Sequence, residues 1–189
     1  MKKNKFKIIE TGIKELIIIE PTIFEDSRGF FLETYNKKEF EDLGLYMEFV
    51  QDNHSKSKRG VLRGLHFQTK NSQGKLIKVI KGKVWDVAVD LRSGSPTFLK
   101  WYGVELSEKN RKMLYVPENF AHGFVTLEHD TEFQYKCTDF YYPEYESGII
   151  WNDKRINIKW PLNEYGLSEE NLIISEKDKL LKQFNDEKI

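Results

Sequence analysis

The sequence predicts a mainly β protein folded as an antiparallel sandwich or barrel. Three observations carry this expectation. Short β-rich runs recur along the 189 residues, turn residues fill the breaks between them, and no long helix intervenes. The runs are Leu16–Glu20, Phe30–Tyr35, Glu48–Asp52, Val61–Gln68, Leu76–Ile80, Val84–Leu91, Phe98–Leu106, Lys112–Val116, Gly123–Leu127 and Glu132–Thr138. Turn residues occupy Asp26–Gly29, Lys81–Lys83, Arg92–Pro96 and Pro117–Asn119. Two helices are predicted. Lys37–Leu43 ends at Gly44, a C′ residue, and Ser175–Phe184 opens with a serine N-cap and an acid at N3. Asn185–Ile189 are expected to fray.

Composition narrows the function. The chain is 39% hydrophobic and 14% aromatic, enough to bury a core. Lys+Arg and Asp+Glu number 30 each, which argues against nucleic-acid and membrane-surface partners. A cationic substrate site must therefore be local. The single Cys137 excludes an intramolecular disulfide framework and fits a reducing compartment. The start, MKKNKFKIIETGIKEL, lacks an unbroken apolar stretch and reads poorly as a signal peptide. No run approaches the ~18 apolar residues of a membrane span. These features predict a soluble cytoplasmic protein. With no internal repeat or linker, one domain is the simplest organisation.

The most informative stretch is Gln51–Lys75, which brings Arg63, Gly64, His66 and Lys75 together. A base that titrates near neutrality, flanked by fixed cations, suits removal of a proton next to a carbonyl. In Val61–Gln68, alternation puts Leu62, Gly64, His66 and Gln68 on one face and Arg63 on the other. Either Gly64 marks a bulge that re-aims one of them, or Arg63 serves a different surface. His66 itself is either a packed strand histidine or a base. In Glu132–Cys137 the apolar face holds Phe133, Tyr135 and Cys137, so Tyr135 points inward as a core tyrosine or as a general acid. Lys75 is either a solvated strand-start lysine or a stabiliser of an enolate oxygen. Asp178 either caps the helix opened by Ser175 or orients His66.

His122 resembles the metal ligand of the second cupin box. The first box would need His-x-His followed by Glu, and the chain offers only Gly64-Leu-His66-Phe-Gln68. His54 and His129 lie in polar, turn-like contexts, so no three-ligand set is evident. Nucleophile-elbow, P-loop and GxGxxG fingerprints are also missing.

Several separated motifs then carry a resemblance. They include Asp26-Ser-Arg-Gly-Phe-Phe-Leu-Glu33, Phe49-Val-Gln-Asp-Asn-His54, Gly60-Val-Leu-Arg-Gly-Leu-His-Phe-Gln68, Gln73-Gly-Lys75, Val84-Trp-Asp-Val-Ala-Val-Asp90, Val116-Pro-Glu-Asn-Phe-Ala-His-Gly-Phe124 and Trp151-Asn-Asp153. In their order and spacing the chain resembles the dTDP-4-dehydrorhamnose 3,5-epimerase family of the cupin superfamily, from about Leu16 to Asp178. The resemblance implies a mainly β fold, a double-stranded β-helix or jelly-roll cupin with a few short helices. It implies one domain over residues 1–189, with short helices over 165–185, and a homodimer that exchanges an N-terminal segment.

The implied reaction is epimerisation at C3 and C5 of dTDP-4-dehydro-6-deoxy-D-glucose, on the way to dTDP-L-rhamnose, with no metal or organic cofactor. By the same resemblance His66 is the base, Asp178 its partner, Lys75 the enolate stabiliser and Tyr135 the opposite-face acid. Substrate contacts fall on Arg28, Glu33, Gln51, Asp52, Asn53, Arg63, His122, Glu146 and Lys177. Two departures stand out. Asn119 sits where glycine is common, and the C-terminal match is loose outside Ile173–Asp178. Alternatives are an epimerase acting at C3 or C5 alone and a non-catalytic cupin that binds sugar.

Overall fold

Alternating apolar residues build two sheets whose inner faces share one core. The computed structural model describes residues 4–185, so residues 186–189 of the expected frayed segment lie outside the described residues. The strands begin with Phe6–Glu10 (β1), Ile17–Pro21 (β2), Phe24–Asp26 (β3), Gly29–Phe31 (β4), Gln51–Ser57 (β5) and Val61–Gln68 (β6). Lys75–Lys81 (β7), Lys83–Asp90 (β8), Trp101–Ser107 (β9) and Met113–Val116 (β10) follow. Phe120–Thr126 (β11), Thr131–Cys137 (β12), Glu146–Gly148 (β13) and Ile173–Ile174 (β14) complete the set.

One sheet has the order β1-β2-β10-β7-β12-β5; the other has β13-β6-β11-β8-β9, with β14 also on β6. From β5 onward the chain passes repeatedly from one sheet to the other, which is jelly-roll connectivity. Alternation then assigns each side chain to a layer. Ile77, Val79, Val84, Ala88, Phe124 and Phe133 meet between the sheets. Leu65, Phe67, Trp85, Val87 and Val89 point out of the second sheet and are covered by Trp151, Ile156, Leu162 and Leu167 from the C-terminal region. The first sheet's outer face, including Ile17, Ile19 and Leu76, is covered by Phe40 of a short helix, Lys37–Glu41 (α1).

Several elements differ from expectation. β5 runs Gln51–Ser57 where a strand over Glu48–Asp52 was expected, so His54 lies on a strand and not in a turn. Phe30–Tyr35 yields only the second arm of the β3–β4 hairpin, and β1 adds an edge strand. Phe98–Lys100 belong to a turn that precedes β9. The Ser175–Phe184 helix shrinks to one turn, Glu176–Lys179 (α2). Its remaining residues are claimed by the body. Leu181 packs on Gly148, Lys182 bridges to Ile149, and the Phe184 amide donates to Asp153.

The end of β8 is fastened by Asp90, whose fully buried carboxylate accepts from Arg92 (2.8 Å), Ser95 (2.6 Å) and Thr97 (2.7 Å). Burial alone would raise its pKa, but these donors bring it from 3.8 down to about 2. The folded value lies below the unfolded one, so the stabilisation is complete above the unfolded value and disappears as pH falls through the folded one. Asp90→Asn is therefore expected to lose about 2 kcal/mol in urea melts at neutral pH and to flatten stability below about pH 4. Equal acid sensitivity in variant and wild type would disprove this.

Candidate active site

A cavity of about 300 Å³ opens between the two sheets, within the range of small-ligand clefts. One sheet contributes Arg63 and His66 from β6 and His122 from β11; the other contributes Asn53 from β5, Lys75 from β7 and Tyr135 from β12. Glu146 and Tyr141 stand on its wall as well.

Gly64 resolves the choice left open for Arg63. The β6–β11 register shifts between His122 and Phe124, and Gly64 adopts φ +115°. The pleat slips by one residue, so Leu62, Leu65 and Phe67 all pack outward while Arg63 and His66 both line the cavity. Strict alternation therefore gave the wrong face for Arg63. No larger residue fits at Gly64, because a Cβ would lie 2.6 Å from the Gly123 Cα and the His122 carbonyl oxygen.

The same irregularity places Asp178. β14 pairs in parallel with Val61 and Leu62, and β13 pairs with His66–Gln68, leaving the stretch between them open to α2. There Asp178 Oδ2 accepts from the Gly64 amide (3.2 Å), and Oδ1 lies 2.8 Å from His66 Nε2. Asp178 makes both kinds of contact. Its backbone amide donates to the Ser175 hydroxyl that caps α2, while its carboxylate is free for His66. Burial would push the Asp178 carboxyl up, but the His66 and Gly64 hydrogen bonds hold it below the usual aspartate value. An ionised Asp178 fixes one ring nitrogen of His66 as the donor and leaves the other as the basic atom.

Lys75 enters from the opposite sheet and has no ion-pair partner among the described residues. Burial pulls its ammonium below the ordinary lysine range, against the pull of Cys137, Asp86 and Glu146. Such a group suits negative charge that develops on a bound ligand. Burial also pushes the Tyr135 phenol up to about 12, reinforced by Cys137 and opposed by Arg63, so it holds its proton at neutral pH. Phe133 and Phe124 stack beside it with centroids 4.1 Å apart, an apolar wall in an otherwise polar cavity.

The rim is tied together. Glu146 accepts from Tyr141 and Lys177, which keeps its carboxyl below the usual glutamate value although burial would raise it. Gln51 bonds Asn53 and the Tyr141 amide, so it braces the cavity from outside. Arg63 donates to the buried Ser57.

Of the other expected substrate residues, Gln51 and Lys177 touch the cavity only through the lining residues they bond, and three lie away from it. Asp52 alternates outward and pairs with Lys136 at 2.9 Å. Arg28 is 88% exposed on the β3–β4 hairpin and pairs with Asp26, while Glu33 pairs with Lys5. Sequence reasoning also missed two participants, Tyr141 and Asp86. Asp86 accepts from His122 Nε2 with both carboxylate oxygens, at 2.9 and 3.0 Å. A lone acid amid the apolar Val84–Val89 was the signal for it. Among the described residues no three His, Cys, Asp or Glu side chains converge to hold a metal ion.

A family model described as dTDP-4-dehydrorhamnose 3,5-epimerase matches residues 10–186. The chain belongs to that family. The dTDP-4-dehydrorhamnose 3,5-epimerase of Methanothermobacter thermautotrophicus is 52% identical, over 93% of this chain and 92% of that protein. The crystal structure of the dTDP-4-dehydrorhamnose 3,5-epimerase from Elizabethkingia anophelis superposes with a TM-score of 0.90 at 50% identity, covering 98% of this chain and all of that one. A Legionella pneumophila dTDP-6-deoxy-D-glucose-3,5-epimerase, solved with dTDP-4-keto-L-rhamnose, gives 0.88 at 49% identity over 94% and 92%. The chain is thus a 3,5-epimerase with a jelly-roll fold, and the non-catalytic alternative falls away. Among the described residues no helix is long and apolar enough to cross a membrane.

Proposed function

We propose that this 3,5-epimerase inverts C3 and C5 of dTDP-4-dehydro-6-deoxy-D-glucose to give dTDP-4-dehydro-L-rhamnose for dTDP-L-rhamnose synthesis. One observation carries the mechanism: a carboxylate-held imidazole on one sheet faces an unpaired ammonium and a protonated phenol on the other. Both carbons flank the C4 ketone, so loss of either proton gives an enolate on the same oxygen. His66 removes the proton, and Asp178 stabilises the imidazolium that forms. Lys75 takes up the charge on the C4 oxygen. Tyr135 delivers a proton to the opposite face, which inverts the centre. The residues convey protons only, so the chemistry requires no cofactor.

Arg63 and His122 are suited to the anionic diphosphate, and Asn53, Glu146 and Lys177 to polar groups of the ligand. Phe24, Phe30 and Phe31 on the β3–β4 hairpin are 52%, 57% and 65% exposed, more apolar surface than a lone hairpin ordinarily shows to water. A second copy covers them in a homodimer, and the exchanged hairpin carries Arg28 and Glu33 to the other copy's cavity. The reduced, lone Cys137 fits a cytoplasmic setting.

The test is incubation with the 4-keto sugar nucleotide in deuterated water, followed by NMR. Deuterium should appear at both C3 and C5 with formation of the L-sugar. Label at C3 alone would replace this reading with a single epimerisation, and no label in a protein that binds the nucleotide would end it.

A further inference from the structure

Phe124 and Phe133 form a stretch of the cavity wall that the mechanism above does not use. Phe124 follows His122 by two residues on β11, and Phe133 precedes Tyr135 by two on β12, so both share the inward face with those groups. Their rings stack at an interplanar angle of 16°. The His122 ring lies 6.3 Å from each, and the Tyr135 ring lies 6.0 Å from Phe133. A third phenylalanine of the lining, Phe67, packs into the outer core instead. Among the described residues, every other lining side chain carries a polar group. The stacked pair is therefore the cavity's apolar patch.

The substrate proposed above offers that patch one match on its sugar ring. C1 bears the diphosphate, C2 and C3 bear hydroxyls, and C4 is a ketone. C5 alone bears an apolar group, the C6 methyl. C5 must lie beside Tyr135, which returns its proton, and C6 is one bond further on. The neighbouring wall at Phe133 is within its reach. The thymine ring is the ligand's other apolar part, and here exposure decides. Phe124 and Phe133 are only 5% and 1% exposed. A methyl group can cover so small a patch, whereas a stacked base needs the open face of a ring.

Resting on the epimerase reading above, we propose that Phe124 and Phe133 are specificity-determining residues that select 6-deoxy sugars by seating the C6 methyl on their stacked rings. A sugar that keeps its 6-hydroxyl buries that oxygen against carbon, with no donor or acceptor to meet it.

The test is calorimetric titration with dTDP-6-deoxy-D-glucose and dTDP-D-glucose, which differ by one oxygen. Neither carries the 4-ketone, so neither turns over. Wild-type protein should bind the deoxy sugar at least about fivefold tighter, within what an apolar pocket achieves against one added hydroxyl. A smaller preference overturns the proposal. Phe124→Tyr brings a hydroxyl to the wall that can meet O6, so the preference should shrink by at least about threefold, while thymidine diphosphate alone binds as before. Phe133→Tyr is read in the same way and stands in should Phe124→Tyr fail to fold.

A preference that survives in the folded variants overturns the proposal. So does an equal weakening of thymidine diphosphate, which would place the base on this wall. The ratio is read without turnover. Absence of deuterium exchange in the 4-keto substrate would therefore end the epimerase reading alone, a result distinct from any ratio.

Discussion

His66→Asn is expected to lower deuterium exchange at C3 and C5 together by about 10³-fold, within the span of a lost general base. Asparagine suits the test better than alanine. Asp178 is buried, and the His66 hydrogen bond helps hold its carboxyl below the usual aspartate value. Alanine would leave that carboxylate short of a donor and cost about 1–3 kcal/mol of stability. The asparagine amide can still donate to Asp178, yet it cannot accept a proton from carbon. Thermal stability should therefore stay near wild type, and thymidine diphosphate should bind with little change by calorimetry. Loss of exchange at one carbon only would show that a second base serves the other.

Tyr135→Phe should separate two events that wild-type kinetics merge. Formation of the inverted sugar is expected to fall by about 10²–10³-fold, the usual worth of a positioned acid. Exchange at the same carbons should fall much less. His66 still takes the proton, and the enolate, held by Lys75, can recover a solvent-derived one from the face it left. The expected signature is label without inversion, read from the deuterium content and stereochemistry of recovered sugar in one NMR series. Equal losses of label and inversion would remove Tyr135 from the acid's role.

The strands that read cleanly from sequence are those whose two faces differ sharply. β12 alternates Phe133, Tyr135 and Cys137 against wet neighbours, and the inner and outer residues of β8 go to two separate cores. β5 was misplaced because its inner face lines a wet cavity. Asn53 and Ser55 point there, so Gln51–Ser57 carries no apolar rhythm at all. The pleat slip at Gly64 was visible only as an open question. A glycine announces that an irregularity is possible, while the packing of Gly64 against Gly123 decides its direction. α2 was overestimated because local signals favour continuing a helix, whereas Leu181 and Phe184 have tertiary places to fill. The roles proposed for His66, Lys75 and Tyr135 came through the family resemblance. Their convergence from opposing sheets is a property of the jelly-roll connectivity, which no local window contains.

The His66–Asp178 contact spans 112 residues of chain. During synthesis β6 emerges long before α2, so a barrel that closes early holds a histidine with no carboxylate to orient it. On the mechanism proposed above, reactivity is thus deferred until the distal turn docks beside Gly64. On that mechanism, folding and competence are separate milestones, and the second waits on a single turn of helix.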